Sequence, residues 1–198
     1  MQDVKKPTQK RGQETFRQIL HAAAQILASD GLPGLNTNRV AEVAGVTPPT
    51  IYRYFNDKVD ILAGLSERFV EEEARWLSTS FAALKGNFSA TSWIAALVSG
   101  YWTHAQTFVG LPELRRAMKS FEPLYEYEEQ SLLKSTDFIS QILADRFGYA
   151  SADAAITARF LVETTCSTVD RCYDLEPSET QVRLTELQKM LVRYISAS

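Results

Sequence analysis

Thr37-Asn38-Arg39-Val40-Ala41-Glu42-Val43-Ala44-Gly45-Val46-Thr47-Pro48-Pro49-Thr50-Ile51-Tyr52-Arg53-Tyr54-Phe55 is the stretch on which the reading turns. It predicts two short helices, about Thr37–Ala44 and Pro48–Phe55, meeting at Gly45-Val46, where glycine can take positive φ. Val40, Ala41, Ala44, Val46 and Ile51 are small or apolar where the helices must pack closely. Val40, Val46, Ile51 and Phe55 are read as core. Asn36 or Thr37 is expected to cap the first helix. Thr47 is expected to cap the second by accepting from the N–H of Thr50. Pro48 and Pro49 lack the N–H groups that a helix start would otherwise orphan.

A helix pair of this kind is what a helix-turn-helix needs, because its second helix must project far enough to enter a DNA major groove. The side chains that helix is expected to expose are Thr47, Pro48, Thr50, Tyr52, Arg53 and Tyr54. Arg53 can reach a guanine edge bidentately, and the proline rings and Thr50 methyl can touch thymine methyls. Tyrosine hydroxyls more often bind phosphate and set register.

Outward from this stretch the pattern is helical, with no strict apolar/polar alternation bounded by hairpin turns. Phe16, Ile19, Leu20, Ala23, Ile26 and Leu27 predict a first helix over Gln13–Ser29, ended by Asp30-Gly31. After the break at Asn56-Asp57, a long helix is expected from Lys58 toward Lys85-Gly86-Asn87. Asp57 should cap it, Asp60 should favour its first turn, and Lys58 should sit beside free backbone N–H groups as a phosphate site. Further helices are expected near 91–108, 112–120, 122–147, 151–174 and 178–196. The fold class is all-α, an N-terminal three-helix head joined by a long helix to a helical bundle. The expected divisions are a flexible basic arm over 1–12, a helix-turn-helix domain over 13–58, and a ligand-binding and dimerisation domain over 59–198. Lys5, Lys6, Lys10 and Arg11 form the arm, which could follow a phosphate backbone or enter a minor groove.

The net charge of -3 over 198 residues looks wrong for a nucleic-acid binder until the chain is divided. Residues 1–60 carry eight basic and six acidic residues, +2, and the remainder carries 13 basic and 18 acidic, -5. That asymmetry turns the head toward phosphate and the body away from it. No apolar run approaches the roughly 18 residues that span a bilayer, and the polar N-terminus is no signal peptide. Cys166 and Cys172 are too few for a disulfide framework, so the expected compartment is the reducing cytoplasm.

The run from Thr15 to Leu62 resembles the DNA-binding head of the TetR family of one-component bacterial regulators. The matching features are Ile19-Leu20, Ala22-Ala23, Gly31, Thr37, Val40-Ala41, Ala44-Gly45-Val46, Thr50-Ile51-Tyr52, Tyr54-Phe55 and Lys58. The resemblance implies that Thr37, Tyr52, Tyr54 and Lys58 bind phosphate of double-stranded operator DNA, and that Thr47, Pro48, Thr50 and Arg53 face base edges. It also implies a small-molecule pocket among the middle helices, dimerisation through the last two, and repression rather than activation. Three positions depart from the usual pattern. Leu27 replaces an aromatic, Asn38 replaces a commonly basic residue, and the double proline leaves fewer hydrogen-bonding groups at the tip.

Other chemistries lack their residues. His21 and His104 have no carboxylate or cysteine spaced to complete a metal site. Cys166 and Cys172 lie six apart on one helix, which makes no ligand pair. There is no glycine-rich phosphate loop, nucleophile elbow or zinc-protease signature, so no catalytic residue, metal or cofactor is expected. A helical-bundle enzyme would need a catalytic constellation, and a purely protein-binding adaptor would leave the Tyr52-Arg53-Tyr54 tip and Lys58 without a purpose. Glu71-Glu72-Glu73 reads as a solvated helix face.

In the body, bulky rings mix with a few polar side chains, as a small-molecule pocket requires. The residues chosen for it are Trp93, Trp102, His104, Phe121, Tyr125 and Cys166, and the expected effector is small and largely apolar or aromatic. The last two helices carry more apolar surface than one core needs. Ala155, Ile156, Phe160, Leu161, Val162, Val169 and Cys172 spread beyond a single stripe, and Leu184, Leu187, Met190, Leu191, Tyr194 and Ile195 repeat at helical spacing. A twofold homodimer is the expected use of that surface, with two recognition helices about one DNA turn apart on a palindromic operator.

Overall fold

The computed structural model describes residues 6–82 and 89–196. Among them the regular elements are all helical: α1 (Lys10–Gly34), α2 (Thr37–Ala44), α3 (Pro48–Tyr52), α4 (Lys58–Ala82), α5 (Ala90–Thr107), α6 (Leu111–Ser120), a 3-10 turn (Glu122–Leu124), α7 (Tyr125–Phe147), α8 (Ser151–Cys172) and α9 (Pro177–Ser196). The all-α expectation holds, and α5, α6, α8 and α9 lie within a residue or two of their expected spans, whereas the helix expected over 122–147 opens as a 3-10 turn and becomes α7 only at Tyr125. The expected end of α4 at Lys85-Gly86-Asn87 lies outside the described residues, as does Lys5.

Local chemistry sets most boundaries. Asn36 caps α2, its side-chain oxygen accepting from the Arg39 N–H at 2.9 Å. Gly45 ends α2 at φ 66° in the left-handed region. Thr47 is extended (ψ 151°), as a residue before proline must be, and Pro48 opens α3. Asp57 caps α4 by accepting from the N–H groups of Val59 at 2.7 Å and Asp60 at 3.0 Å. Inside α1, Gly31 (φ 65°, ψ -171°) interrupts the helical backbone, and Pro33 follows it in the last turn. The break anticipated at Asp30-Gly31 is therefore present, but a further helical turn carries α1 on to Gly34. At its other end α1 starts at Lys10, so Lys10 and Arg11 are helical rather than part of a flexible arm. Lys6 also departs from that expectation, pairing with Glu67 at 2.7 Å and Glu71 at 3.3 Å.

The chain forms two compact units, Met1–Glu71 with Phe108–Glu129, and Glu72–Thr107 with Gln130–Ser198. The sequence reading groups 108–129 with the body, whereas they pack with the helix-turn-helix. In this first unit Ile19, Leu20, Ala23 and Leu27 of α1 are buried with Val40, Ala41, Ile51, Phe55, Leu62, Leu65 and Phe69. Fully burying one such large side chain stabilises by about 1.5–3 kcal/mol. Val46, expected in this core, is only half-buried.

Gly110 lets α6 dock on α1. Its φ is 76°, and a Cβ there would lie 2.7 Å from the carbonyl oxygen of Ala24. Both the backbone and the space exclude a side chain. Behind α6, buried Arg115 pairs with Glu128 at 3.3 Å and lies 5.8 Å from the Phe69 ring centroid. In the second unit Trp93, Ile94, Val98, Ile139, Leu143, Ala158, Leu161 and Leu191 form the buried centre.

Candidate nucleic-acid interface

The turn at Gly45 sets α3 so that Thr47, Pro48, Tyr52 and Arg53 are exposed and Thr50 and Thr37 are half-buried. Two expected phosphate ligands meet here. The Thr37 and Tyr52 hydroxyls, from α2 and α3, are 3.2 Å apart and hydrogen-bonded. A hydroxyl has one proton and two lone pairs, so the pair can donate one bond to its own partner and still offer one outward. Tyr52 remains 54% exposed.

At the tip, the expected Thr47 cap takes another form. The Thr50 N–H bonds to the backbone carbonyl of Thr47 at 2.8 Å, and the two side-chain hydroxyls pair at 3.0 Å. The extended backbone before Pro48 presents the Thr47 carbonyl, leaving its hydroxyl for Thr50. The Arg53 guanidinium stands 5.7 Å from the Tyr54 ring centroid, a spacing at which cation and ring attract.

Tyr54 corrects one expectation. Expected to be exposed, its side chain is only 8% exposed. Its ring meets Phe16 edge-on at 5.9 Å, and Phe55 stacks on Phe16 at 5.0 Å. Phe16, the first member of the periodic set of α1, claims both rings.

Lys58, half-buried, begins α4 as expected, but its surroundings differ. The N–H groups of Val59 and Asp60 are taken by Asp57, and the Asp60 carboxylate accepts from the backbone and side-chain amides of Asn56 at 2.8 and 2.6 Å. The side-chain ammonium of Lys58, more than bare helix N–H groups, is what remains for an anion.

The six residues chosen for a small-molecule pocket are not brought together. Trp93 is buried against Phe147 at 5.1 Å, and Trp102 packs on Tyr173 at 5.2 Å. Phe121 and exposed Tyr125 belong to the unit that holds the helix-turn-helix. Of the six, only Cys166 lines a small cavity of the second unit, with its thiol 3.7 Å from the Tyr101 hydroxyl. That cavity has about 20 Å³ open to the centre of a water-sized sphere, and its walls include Glu73, Trp76, Leu97, Tyr101, Val162 and Thr165.

His104 lines a separate open groove of about 540 Å³ with Trp76, Ser99, Gly100 and Thr103. Its ring stacks on Trp76 at 5.1 Å and 8°. Burial pushes its pKa below the usual histidine value, against a smaller opposing pull from Glu72. Sequence reasoning missed Trp76 and Glu73. Glu73, read as part of a solvated face, is 3% exposed and accepts from the Ser131 hydroxyl. The signal was present, since Glu73 falls four residues after Phe69 and four before Leu77, on one helical face.

Residues 19–65 match the sequence model of the bacterial regulatory proteins, tetR family. The fatty acid metabolism regulator protein of Bacillus subtilis is 28% identical over 113 residues, 54% of this chain and 57% of that one. The class C tetracycline repressor protein of Escherichia coli is 31% identical over 111 residues, 50% of this chain and 48% of that one. The matches thus span about half the length of these curated relatives. Among solved structures, the transcriptional regulator FadR of Bacillus subtilis in complex with stearoyl-CoA superposes with a TM-score of 0.60 at 18% identity, covering 91% of this chain and 97% of that one. Residues 19–65 are thus similar to the tetR family of bacterial regulatory proteins, and the all-helical fold is shared with the solved neighbour.

Proposed function

We propose that this chain is a ligand-responsive transcriptional repressor that binds palindromic operator DNA as a homodimer and is released by a small effector. The observation that carries the DNA half is the hydroxyl pair of Thr37 and Tyr52 beside exposed Thr47, Pro48 and Arg53. Thr37, Tyr52, Tyr54 and Lys58 would hold phosphate and set the register, Tyr54 through the edge of a largely buried ring. Thr47, Pro48, Thr50 and Arg53 would read base edges. Residues 13–58 would be the working DNA-binding segment, and 59–198 would supply effector binding and dimerisation.

Exposed Ile156 and Phe160 on α8 and exposed Val182, Met190 and Tyr194 on α9 support self-association, with Phe160 and Tyr194 already paired at 5.4 Å. The effector half is supported by a neighbour's complex with stearoyl-CoA and the repression by a relative's name, tetracycline repressor. The effector acts only through its difference in affinity between the DNA-competent conformer and the other.

The test is titration of the full chain into labelled DNA from its own upstream region, with scrambled competitor, at two salt concentrations. Selective, salt-weakened binding by a dimer is the expected result. Affinity that is flat in salt, or unchanged in both Tyr52→Ala and Lys58→Ala, would overturn it.

A further inference from the structure

The Tyr54 side chain is 8% exposed, and its hydroxyl has no hydrogen-bond partner among the described residues. That hydroxyl reaches the start of α1. A Cβ on Gly12, in the first turn, would lie 3.5 Å from the Tyr54 hydroxyl oxygen and 2.9 Å from the Pro7 Cβ. Glycine therefore lets a buried hydroxyl just past α3 approach the first turn of a 25-residue helix. The Tyr54 ring is held by Phe16, and phenylalanine would pack there equally well. The oxygen is thus left for a use other than packing.

The turn it approaches is itself unsatisfied. The first backbone bond of α1 runs from the Gln13 N–H to the Gln9 carbonyl at 3.0 Å. The N–H groups of Lys10, Arg11 and Gly12 precede it without acceptors among the described residues. The Gln9 side chain makes no capping bond, and the first turn holds no acid. Lys10 and Arg11 stand exposed there, and Glu14, the nearest acid along the helix, pairs with Arg17 at 3.2 Å. Lys6 is turned away, its ammonium held by Glu67 and Glu71 on α4. Free N–H groups at the positive end of a long helix, two exposed cations and an unbonded hydroxyl donor are complementary to an anion.

We propose that the N-terminus of α1 and the Tyr54 hydroxyl together form an anion site that takes a phosphodiester of the DNA backbone. One phosphate oxygen would accept from the free N–H groups and another from Tyr54, with Lys10 and Arg11 adding charge. Tyr54 comes two residues after Tyr52, whose hydroxyl is paired with Thr37. The site thus extends the phosphate-facing surface from α2 and α3 to α1. This deepens, and rests on, the reading that the head binds DNA.

The experiment is fluorescence anisotropy of the full chain on its own upstream DNA and on scrambled DNA, with variants that close the site in different ways. Tyr54→Phe keeps the ring and removes the donor. Gln9→Ser supplies a neutral cap that takes free N–H groups, and Gln9→Asp supplies a charged one. Gln18→Glu places the same charge at an exposed position farther along α1. Tyr54→Phe and Gln9→Ser should each weaken binding to both DNAs by about fivefold, the worth of one hydrogen bond. Gln9→Asp should lose about tenfold or more, well beyond Gln18→Glu, while its Tm rises because the cap stabilises the helix. A merely structural role would move stability and affinity in the same direction. Losses below about twofold in both Tyr54→Phe and Gln9→Ser, or equal losses in Gln9→Asp and Gln18→Glu, would overturn the site. Thermal shift with inorganic phosphate against chloride at equal ionic strength separates the sources of the anion. Phosphate stabilising the native chain but not Gln9→Asp, with DNA affinity unchanged in every variant, would assign the site to free phosphate and overturn the DNA assignment. Failure of the native chain to bind either DNA sinks the regulator reading itself, whereas DNA binding indifferent to these variants sinks only the site on α1.

Discussion

The Thr37 and Tyr52 hydroxyls, fifteen positions apart in the chain, form a 3.2 Å hydrogen bond that ties α2 to α3 at the face proposed to meet DNA. One bond thus serves the packing of the motif and the orientation of both groups toward phosphate. Tyr52→Phe removes it while keeping the ring. DNA affinity should fall by about five- to tenfold, the worth of one hydrogen bond of roughly 1–1.4 kcal/mol. The loss should be equal for operator and scrambled DNA, because phosphate contacts carry no sequence information. Fluorescence anisotropy on both DNAs, with Thr37→Val and the double variant, checks this. Because the residues share one bond, the double variant should lose less than the sum of the single losses.

Gly110 and Gly148 separate backbone strain from steric clash. Both have positive φ, 76° and 74°, but a Cβ at Gly110 meets the Ala24 carbonyl oxygen at 2.7 Å whereas one at Gly148 meets nothing within 4 Å. Gly148→Ala should cost about 1 kcal/mol, the left-handed penalty alone. Gly110→Ala should cost roughly 3 kcal/mol or more, because α6 must also move off α1. Urea denaturation of the two variants measures the gap, and equal midpoints would sink the docking argument.

The Arg115–Glu128 pair is a buried ion pair, and its two halves should not be separable. Arg115→Ala leaves the Glu128 carboxylate its more distant partner Lys119, 3.8 Å away, and should destabilise by about 3 kcal/mol, the low end for breaking a buried pair. Replacing both residues by methionine should recover much of that loss, since no uncompensated charge remains. A double-mutant cycle by denaturant unfolding gives the coupling directly.

His104 should make stability fall on mild acidification. Burial lowers its folded pKa below the ordinary histidine value of 6.5, so between that folded value and 6.5 the unfolded chain binds more protons than the folded one. Stability therefore rises with pH through this window. It is fully present above about 6.5 and is lost as pH falls from there to the folded pKa. The Tm of the native chain should drop more between pH 7.5 and 5.5 than that of His104→Gln, which has no titrating ring. Parallel pH dependence in the two would assign the effect elsewhere.

Much of the helix-turn-helix head is legible in the sequence because its determinants are local. Gly45 at positive φ, Asn36 and Asp57 as caps, and proline at the start of α3 each act on backbone within a few residues. Periodicity likewise placed α5, α6, α8 and α9, since amphipathic spacing within a helix is a property of the chain alone. Tertiary structure decided what depends on partners distant in sequence. Phe16 draws Tyr54 under the surface, the N–H groups near Lys58 are already taken, and close approach at Gly110 brings 108–129 to the unit of the helix-turn-helix. The pocket residues chosen by aromaticity scattered because a ring on a helix is equally suited to core, surface or cavity. Which side chains share a cavity is set by helices packed from far along the chain, and no spacing within one helix encodes the meeting of Glu73 and Trp76 with Tyr101 and Thr165.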